Sequence, residues 1–227
     1  KPGSVLGHEV VGEVLSLGSG VRCLAIGDRI AVPHHVSCGK CSYCRKGNET
    51  LCKVFRKNLI KPGGFADTMI IGARAVSFAA KIFSEDISDG AAVFLEPAAC
   101  VLRSVRRSGV RNGDLIVVQG AGAMGLLHLL VLRATMPETK VVIIDPIAER
   151  RSFAEELGVF KALSPEEVNG LSKSINADAV FDTVGGAKVI SIALKMTRPG
   201  GTVVLFAHAS DGETATINLN SIFKYER

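Results

Sequence analysis

The stretch LIVVQGAGAMG, Leu115–Gly125, sets a strand-length apolar run directly before three glycines in G-x-G-x-x-G spacing. A helix-length amphipathic stretch, Ala123–Ala134, follows, and then a second apolar run, Lys140–Asp145, which closes on a carboxylate twenty residues past Gly125. A glycine triplet alone is a weak signal. Between a strand and a helix, with an acidic residue ending the next strand, it has the context that a dinucleotide-binding fingerprint requires. In that reading Gly120 makes the tight turn, Gly122 lets the backbone approach a pyrophosphate, and Gly125 lets the helix lie close on the sheet. The helix N-terminus offers free N–H groups to the phosphates. Asp145 can accept hydrogen bonds from the ribose hydroxyls and would repel a 2′-phosphate. Arg150, five residues on, would favour that phosphate or lie along the ribose edge. The expectation is NAD rather than NADP.

The same alternation continues to the end of the chain. Ile147–Leu157 reads as a helix stopped by Gly158, and Ser164-Pro165-Glu166-Glu167 as a capping-box start. Ala177–Asp182 reads as a strand, Ala187–Met196 as a helix, Arg198-Pro199-Gly200-Gly201 as a turn and Thr202–Ala207 as a strand. Strands alternating with helices predict an α/β fold with a doubly wound parallel sheet of Rossmann type. Before residue 97 the character differs: short β-rich runs, Val10–Leu17, Arg29–Val32 and Ala66–Ile71, are broken by Gly and Pro. Ala98–Ser108, after Pro97, reads as a helix linking two domains, 1–97 and 98–227.

At 227 residues the chain can bury a real core in either domain. Its 47% hydrophobic and 22% charged content is that of a globular protein, and no window has the roughly 18 consecutive apolar residues of a membrane span. The net charge of +5 is a mild excess, and the knot of Arg103, Arg106, Arg107 and Arg111 has no interleaved aromatics, so neither a nucleic-acid nor a membrane partner is expected. Lys1-Pro2-Gly3 opens on no export signal, which makes a reducing, cytoplasmic setting the default; clustered cysteines there bind metal or do chemistry more often than they pair.

Four of the six cysteines, Cys38, Cys41, Cys44 and Cys52, fall at separations of 3, 3 and 8. The first two spacings invite an iron–sulfur reading, but bacterial ferredoxins place the fourth cysteine after three residues and follow it with Pro. Here seven residues intervene and Lys53 follows. The pattern favours a closed four-thiolate zinc site, with an iron–sulfur cluster and a metal-free loop as the alternatives. A closed site leaves no position for substrate, so chemistry must lie elsewhere.

Gly7-His8-Glu9 means little alone. Here His8 precedes Cys38 by 30 residues, and Phe94-Leu95-Glu96-Pro97 directly precedes the dinucleotide half. In this order the motifs resemble those of the zinc-dependent medium-chain dehydrogenases of the alcohol dehydrogenase superfamily, specifically the sorbitol, threonine and polyol dehydrogenase branch. The resemblance implies a GroES-like catalytic domain over 1–97 and a Rossmann NAD-binding domain over 98–227. It makes His8 a ligand of a catalytic zinc, Glu9 a direct or exchangeable ligand and Glu96 the remaining protein ligand. Cys38, Cys41, Cys44 and Cys52 would hold a second, structural zinc. It further implies hydride transfer between a secondary alcohol or polyol and NAD, and a homo-oligomer, dimer or tetramer, at full length.

Members of that family also carry a segment before Gly-His-Glu with a cysteine ligand and a Ser or Thr relay, and a sixth Rossmann strand with a return segment. These 227 residues contain neither, so the expectation for this chain is a catalytic zinc weakly held or absent. The alternative reading is a non-catalytic remnant that keeps the structural zinc and the dinucleotide pocket. His34 and His35 fall where the family's substrate cleft has one wall, as solvated loop residues or as a polar surface for a polyhydroxylated substrate. His128 reads as packing.

Overall fold

The computed structural model describes residues 3–57, 59–82, 85–171 and 175–226. The chain divides into two units, Lys1–Pro97 and Ala98–Arg227.

Glycines and prolines keep the strands of the first unit short. Its elements are β1 (Val11–Glu13), β2 (Arg29–Ala31), α1 (Ser42–Arg45), a 3-10 turn (Glu49–Leu51), β3 (Ile60–Lys61), β4 (Ile70–Ile71), α2 (Ala73–Val76), β5 (Ala80–Lys81) and α3 (Asp89–Ala92). Strand β2 lies between β1 and β5 in an antiparallel sheet, and β3 pairs with β4. Of the expected run Val10–Leu17 only Val11–Glu13 is strand, and of Ala66–Ile71 only Ile70–Ile71. The core is correspondingly small: Val10, Val14, Ile30, Val32 and Ile60, backed by Leu24, Met69 and Ile71. Ion pairs supplement it at the edges, with Lys81 2.6 Å from Asp28 and Arg29 2.7 Å from Asp89.

Helix α4 (Leu95–Ser108) runs from the first unit into the second. It begins three residues before the expected Ala98, because Pro97 then falls in the first turn, where no N–H is needed. The second unit continues β6 (Leu115–Gln119), α5 (Ala123–Thr135), β7 (Lys140–Ile144), α6 (Ala148–Glu156), β8 (Lys161–Leu163), α7 (Pro165–Leu171), β9 (Ala177–Asp182), α8 (Ala187–Met196), β10 (Thr197–Leu205) and α9 (Leu219–Tyr225). Five strands form a parallel sheet in the order β10-β9-β6-β7-β8. The strand order reverses between β6 and β9, the switch point at which such sheets bind ligands.

Burial on both faces explains the continuous apolar strand runs. Ile116 and Val118 face a cluster with Val101, Val105, Leu129, Leu132 and Phe181, whereas the intervening Val117 joins Val142, Ile144, Val180 and Met196. His128 is fully buried between Phe181 and Phe206, its Nδ1 2.7 Å from the Met124 carbonyl and its Nε2 2.9 Å from Ser104 Oγ. The capping box forms as expected: the Ser164 N–H donates to Glu167 (2.6 Å), and the Glu167 N–H donates to Ser164 Oγ (3.4 Å). Arg198-Pro199-Gly200-Gly201 does not form a free turn. It belongs to β10, whose register against β9 shifts between Thr197 and Thr202. Among the described residues no helix is long and apolar enough to cross a membrane.

Asp178 ties three strands together, accepting from the Leu115 N–H (2.8 Å) and from Arg198 Nε (2.6 Å). Burial raises its pKa, but Arg198 and the Leu115 N–H outweigh this and hold the carboxyl below its usual value. A depressed folded-state pKa stabilises the fold above the unfolded pKa of about 4 and is lost as pH falls through the folded value. Asp178→Ala should therefore cost about 1–2 kcal/mol at pH 7, with a smaller difference from the unsubstituted chain at pH 3. Urea unfolding at the two pH values measures both; an equal loss at each would show that charge plays no part.

Candidate metal centres and the dinucleotide turn

Residues 37–52 have little regular structure to hold them. Helix α1 carries Cys44 and is preceded by Cys41, whose carbonyl accepts the Arg45 N–H at 3.0 Å; the 3-10 turn delivers Cys52. The four sulfurs lie within 4.8 Å of one another, with Cys41 Sγ 3.4 Å and Cys38 Sγ 3.9 Å from Cys44 Sγ. A disulfide needs about 2.05 Å, and all four thiols are free. Thiolates about 2.3 Å from one tetrahedral zinc stand roughly 3.8 Å apart, and the observed spacings bracket that value. An iron–sulfur cluster interposes several atoms between its ligands and needs sulfurs spread wider than these.

The proton affinities are already split. Backbone N–H groups of Lys40 and Cys41 aimed at Cys38 lower its pKa to about 6. The Cys44 N–H pulls the Cys41 thiol down, but the sulfurs around it and burial prevail and raise it to about 11. The donor set of this loop fits zinc.

A second set of donors gathers around His8. Gly7 has a φ of +93°, and a Cβ there would come within 2.9 Å of the Phe65 nitrogen. Its carbonyl accepts from the Gly64 N–H and that of Leu6 from the Phe65 N–H, both at 2.9 Å, which pins the turn presenting His8 and Glu9. Glu96 stands in the first turn of α4. His8 Nε2 is 3.9 Å from Glu96 Oε2, and one ligand atom from each of His8, Glu9 and Glu96 lies within 4.8 Å of the others. The His8 side chain is 53% exposed and that of Glu96 22%. Unlike the thiol loop, this set has an open side. One imidazole and two carboxylates fit a metal that retains a free coordination position.

Two further histidines extend from it. The His34 ring lies 4.5 Å from that of His8, His35 lies 3.9 Å from His34, and Phe55 ends the row 5.5 Å from His35. Burial, then the neighbouring imidazoles of His35 and His8, lower the His34 pKa to about 4, so this ring is neutral at physiological pH.

In the second unit the glycine turn has the shape that its sequence implies. Gly120 adopts a φ of +101°, and a Cβ at Gly125 would run into the Gly120 carbonyl oxygen. A Cβ at Gly122 would meet nothing within 4 Å, which leaves the backbone open to a ligand at the N-terminus of α5, where no side chain caps the helix. The Asp145 carboxylate sits behind this turn, 2% exposed. Its Oδ2 accepts from the Ala121 N–H and its Oδ1 from the Ile147 N–H, both at 2.8 Å. Arg150 Nη1 stands 3.8 Å away, half-exposed, and Arg151 donates to the Asp145 carbonyl at 2.7 Å.

Asp182 and Thr183 escaped sequence reasoning. Asp182 is buried at the end of β9 and accepts from the Val184 and Gly185 N–H groups (2.9 and 2.8 Å); the Thr183 hydroxyl donates to the Gln119 carbonyl at 2.7 Å beside Gly120. The available signal was the polar pair closing an apolar strand at the switch point.

Two family models match this chain: the alcohol dehydrogenase GroES-like domain over residues 1–81, and the zinc-binding dehydrogenase over residues 115–227. L-threonine 3-dehydrogenase of Pyrococcus horikoshii is 29% identical over 99% of this chain and 65% of its own length. Sorbitol dehydrogenase of Arabidopsis thaliana is 31% identical over 88% of this chain and 57% of its own. A zinc-binding dehydrogenase structure from Sinorhizobium meliloti 1021, solved bound to NADP, superposes with a TM-score of 0.86 at 28% identity, covering all of this chain and 67% of that one. This chain thus spans about 65% of the length of the first relative. A strand–glycine–helix turn, thiols at zinc spacing and two matching family models agree: the chain belongs to the zinc-binding alcohol dehydrogenase family.

Proposed function

We propose that this chain carries the zinc and dinucleotide sites of an NAD-dependent dehydrogenase acting on a secondary alcohol or polyol. The observation that carries the proposal is the open triangle of His8, Glu9 and Glu96, formed in the same chain as a closed thiol site and a glycine turn. When bound, zinc supplies the Lewis acidity that lowers the pKa of an alcohol, and the nicotinamide supplies the hydride acceptor. The protein's own part is positional. His8 and Glu96 would hold the metal with Glu9 beside them, Cys38, Cys41, Cys44 and Cys52 would hold the structural ion, and the N–H groups ahead of α5 would seat the pyrophosphate. Asp145, in the fingerprint position, favours NAD; Arg150 at its outer side is the residue that could admit a 2′-phosphate. The threonine and sorbitol dehydrogenases among the relatives support a small polar substrate.

Zinc analysis of the purified chain should find close to one tightly held ion in the cysteine loop; iron with a visible charge-transfer band, or a folded chain without metal, would overturn this. Calorimetry should show NAD binding more tightly than NADP, a like-charge contact at Asp145 costing roughly several kcal/mol, with Asp145→Ala narrowing the gap. Tighter NADP binding by the unsubstituted chain would assign control to Arg150. A substrate panel run on the full-length protein should give NADH with small polyols or secondary alcohols, and turnover only of long-chain or aromatic primary alcohols would count against the substrate class.

A further inference from the structure

We propose that Thr183 is a positioning residue for the dinucleotide: its hydroxyl fixes the peptide between Gln119 and Gly120, and with it the glycine turn ahead of α5. The inference rests on the reading of that turn as the dinucleotide's seat, and adds a side chain from another strand that sets its shape.

The Gln119–Gly120 peptide ends β6 and begins the turn, and its two polar groups are held from opposite neighbours. The Gly120 N–H donates to the Ile144 carbonyl of β7 at 2.7 Å. The Gln119 carbonyl accepts twice from Thr183, just past β9: from its N–H at 3.1 Å and, more closely, from its hydroxyl at 2.7 Å. A carbonyl oxygen has two lone pairs, and Thr183 fills both. The N–H bond continues the parallel ladder that pairs Gln119 with Asp182. The hydroxyl bond is additional and needs a short hydroxyl-bearing side chain at this position. Asp145 holds the next peptide, at the Ala121 N–H. Two successive peptides of the turn are thus fixed by side chains, one from the end of β9 and one from the end of β7.

The glycines make room for that hydroxyl. A Cβ at Gly120 would come within 2.7 Å of Thr183 Oγ1, and one at Gly125 within 3.3 Å of it. Thr183 Oγ1 therefore lies against both the first and the third glycine. Gly120, at a φ of +101°, turns its own carbonyl onto Gly125, where a Cβ would run into the oxygen. Rotating the Gln119–Gly120 peptide would displace that carbonyl, and the start of α5 would follow. A β-branched side chain has few rotamers, which keeps the hydroxyl at the carbonyl. Valine has the same outline but would set a methyl group where the hydroxyl stands, inside the about 3.3–3.6 Å of a carbon–oxygen contact. The peptide would have to turn away, and the N–H groups that face a pyrophosphate would turn with it.

The test titrates the 227-residue chain calorimetrically with NAD and, separately, with adenosine, which lacks the pyrophosphate. Two pairs isolate the hydroxyl: the unsubstituted chain against Thr183→Val, and Thr183→Ser against Thr183→Ala. Urea unfolding checks that each variant is folded, and the Ser–Ala pair carries the decision if Thr183→Val is not. Thr183→Val and Thr183→Ala should bind NAD roughly three- to tenfold more weakly. Thr183→Ser should bind it nearly as tightly as the unsubstituted chain, and adenosine should bind equally to all four. Equal NAD affinity in Thr183→Ser and Thr183→Ala would overturn the proposal: with both as tight as the unsubstituted chain, the hydroxyl is a tie within the sheet, and with both weakened, the methyl group is responsible. An equal loss of adenosine binding would also overturn it, as general damage to the site. An unsubstituted chain that binds neither NAD nor adenosine defeats the dinucleotide reading itself, an outcome distinct from the others.

Discussion

Two buried carboxylates hold the carboxyl edge of the parallel sheet in shape. Asp145 ends the strand run of β7 and Asp182 ends β9, and each accepts two backbone N–H groups from the loops that follow or adjoin. Loops at this edge leave the sheet without ladder partners, and an unpaired N–H buried there would cost on the order of 1–3 kcal/mol. The carboxylates resolve this by taking the place of missing carbonyls. Asp145 closes the glycine turn from behind, Asp182 folds the chain after β9, and the Thr183 hydroxyl joins that loop to Gln119. The conformation of Gly120 and the open face of Gly122 follow from that arrangement.

The first unit solves a different problem. Its strands are two or three residues long and its buried apolar cluster is small. Such a region has little hydrophobic stabilisation to offset ordering a sixteen-residue loop such as 37–52. Cys41 Sγ and Cys38 Sγ stand 3.4 and 3.9 Å from Cys44 Sγ, and all four sulfurs lie within 4.8 Å of one another. A tetrahedral cation at this spacing would cross-link the loop where the core is thin.

Much of the second unit was legible in the sequence because its signals are local and redundant. The bounds of β6, β9 and α8 follow from apolar runs that start and stop at glycine, proline or charge, and the capping box at Ser164 and Glu167 forms as its spacing implies. The misses have physical causes. β3, β5 and β8 are too short for any periodicity to register. Arg198-Pro199-Gly200-Gly201 has turn composition, yet strand pairing on either side absorbs it as an irregularity. At the sites, motif order identified His8, Glu9, Glu96 and the four cysteines as one another's companions, and the structure brings each group together. The engagement of Asp145 by the Ala121 N–H and the approach of His34 to His8 were not legible, because both depend on where separate segments meet in space.

The irregular start of β10 also shapes the border of the described sheet. This strand borders the sheet among the described residues, and an uninterrupted outer strand offers a regular row of donors and acceptors on which a foreign strand can nucleate. Pro199 removes one donor from that row, and the register shift between Thr197 and Thr202 bends the remainder out of step. The same kink that obscured the strand in the sequence confines the regular pairing row at this border of the described sheet to Thr202–Leu205.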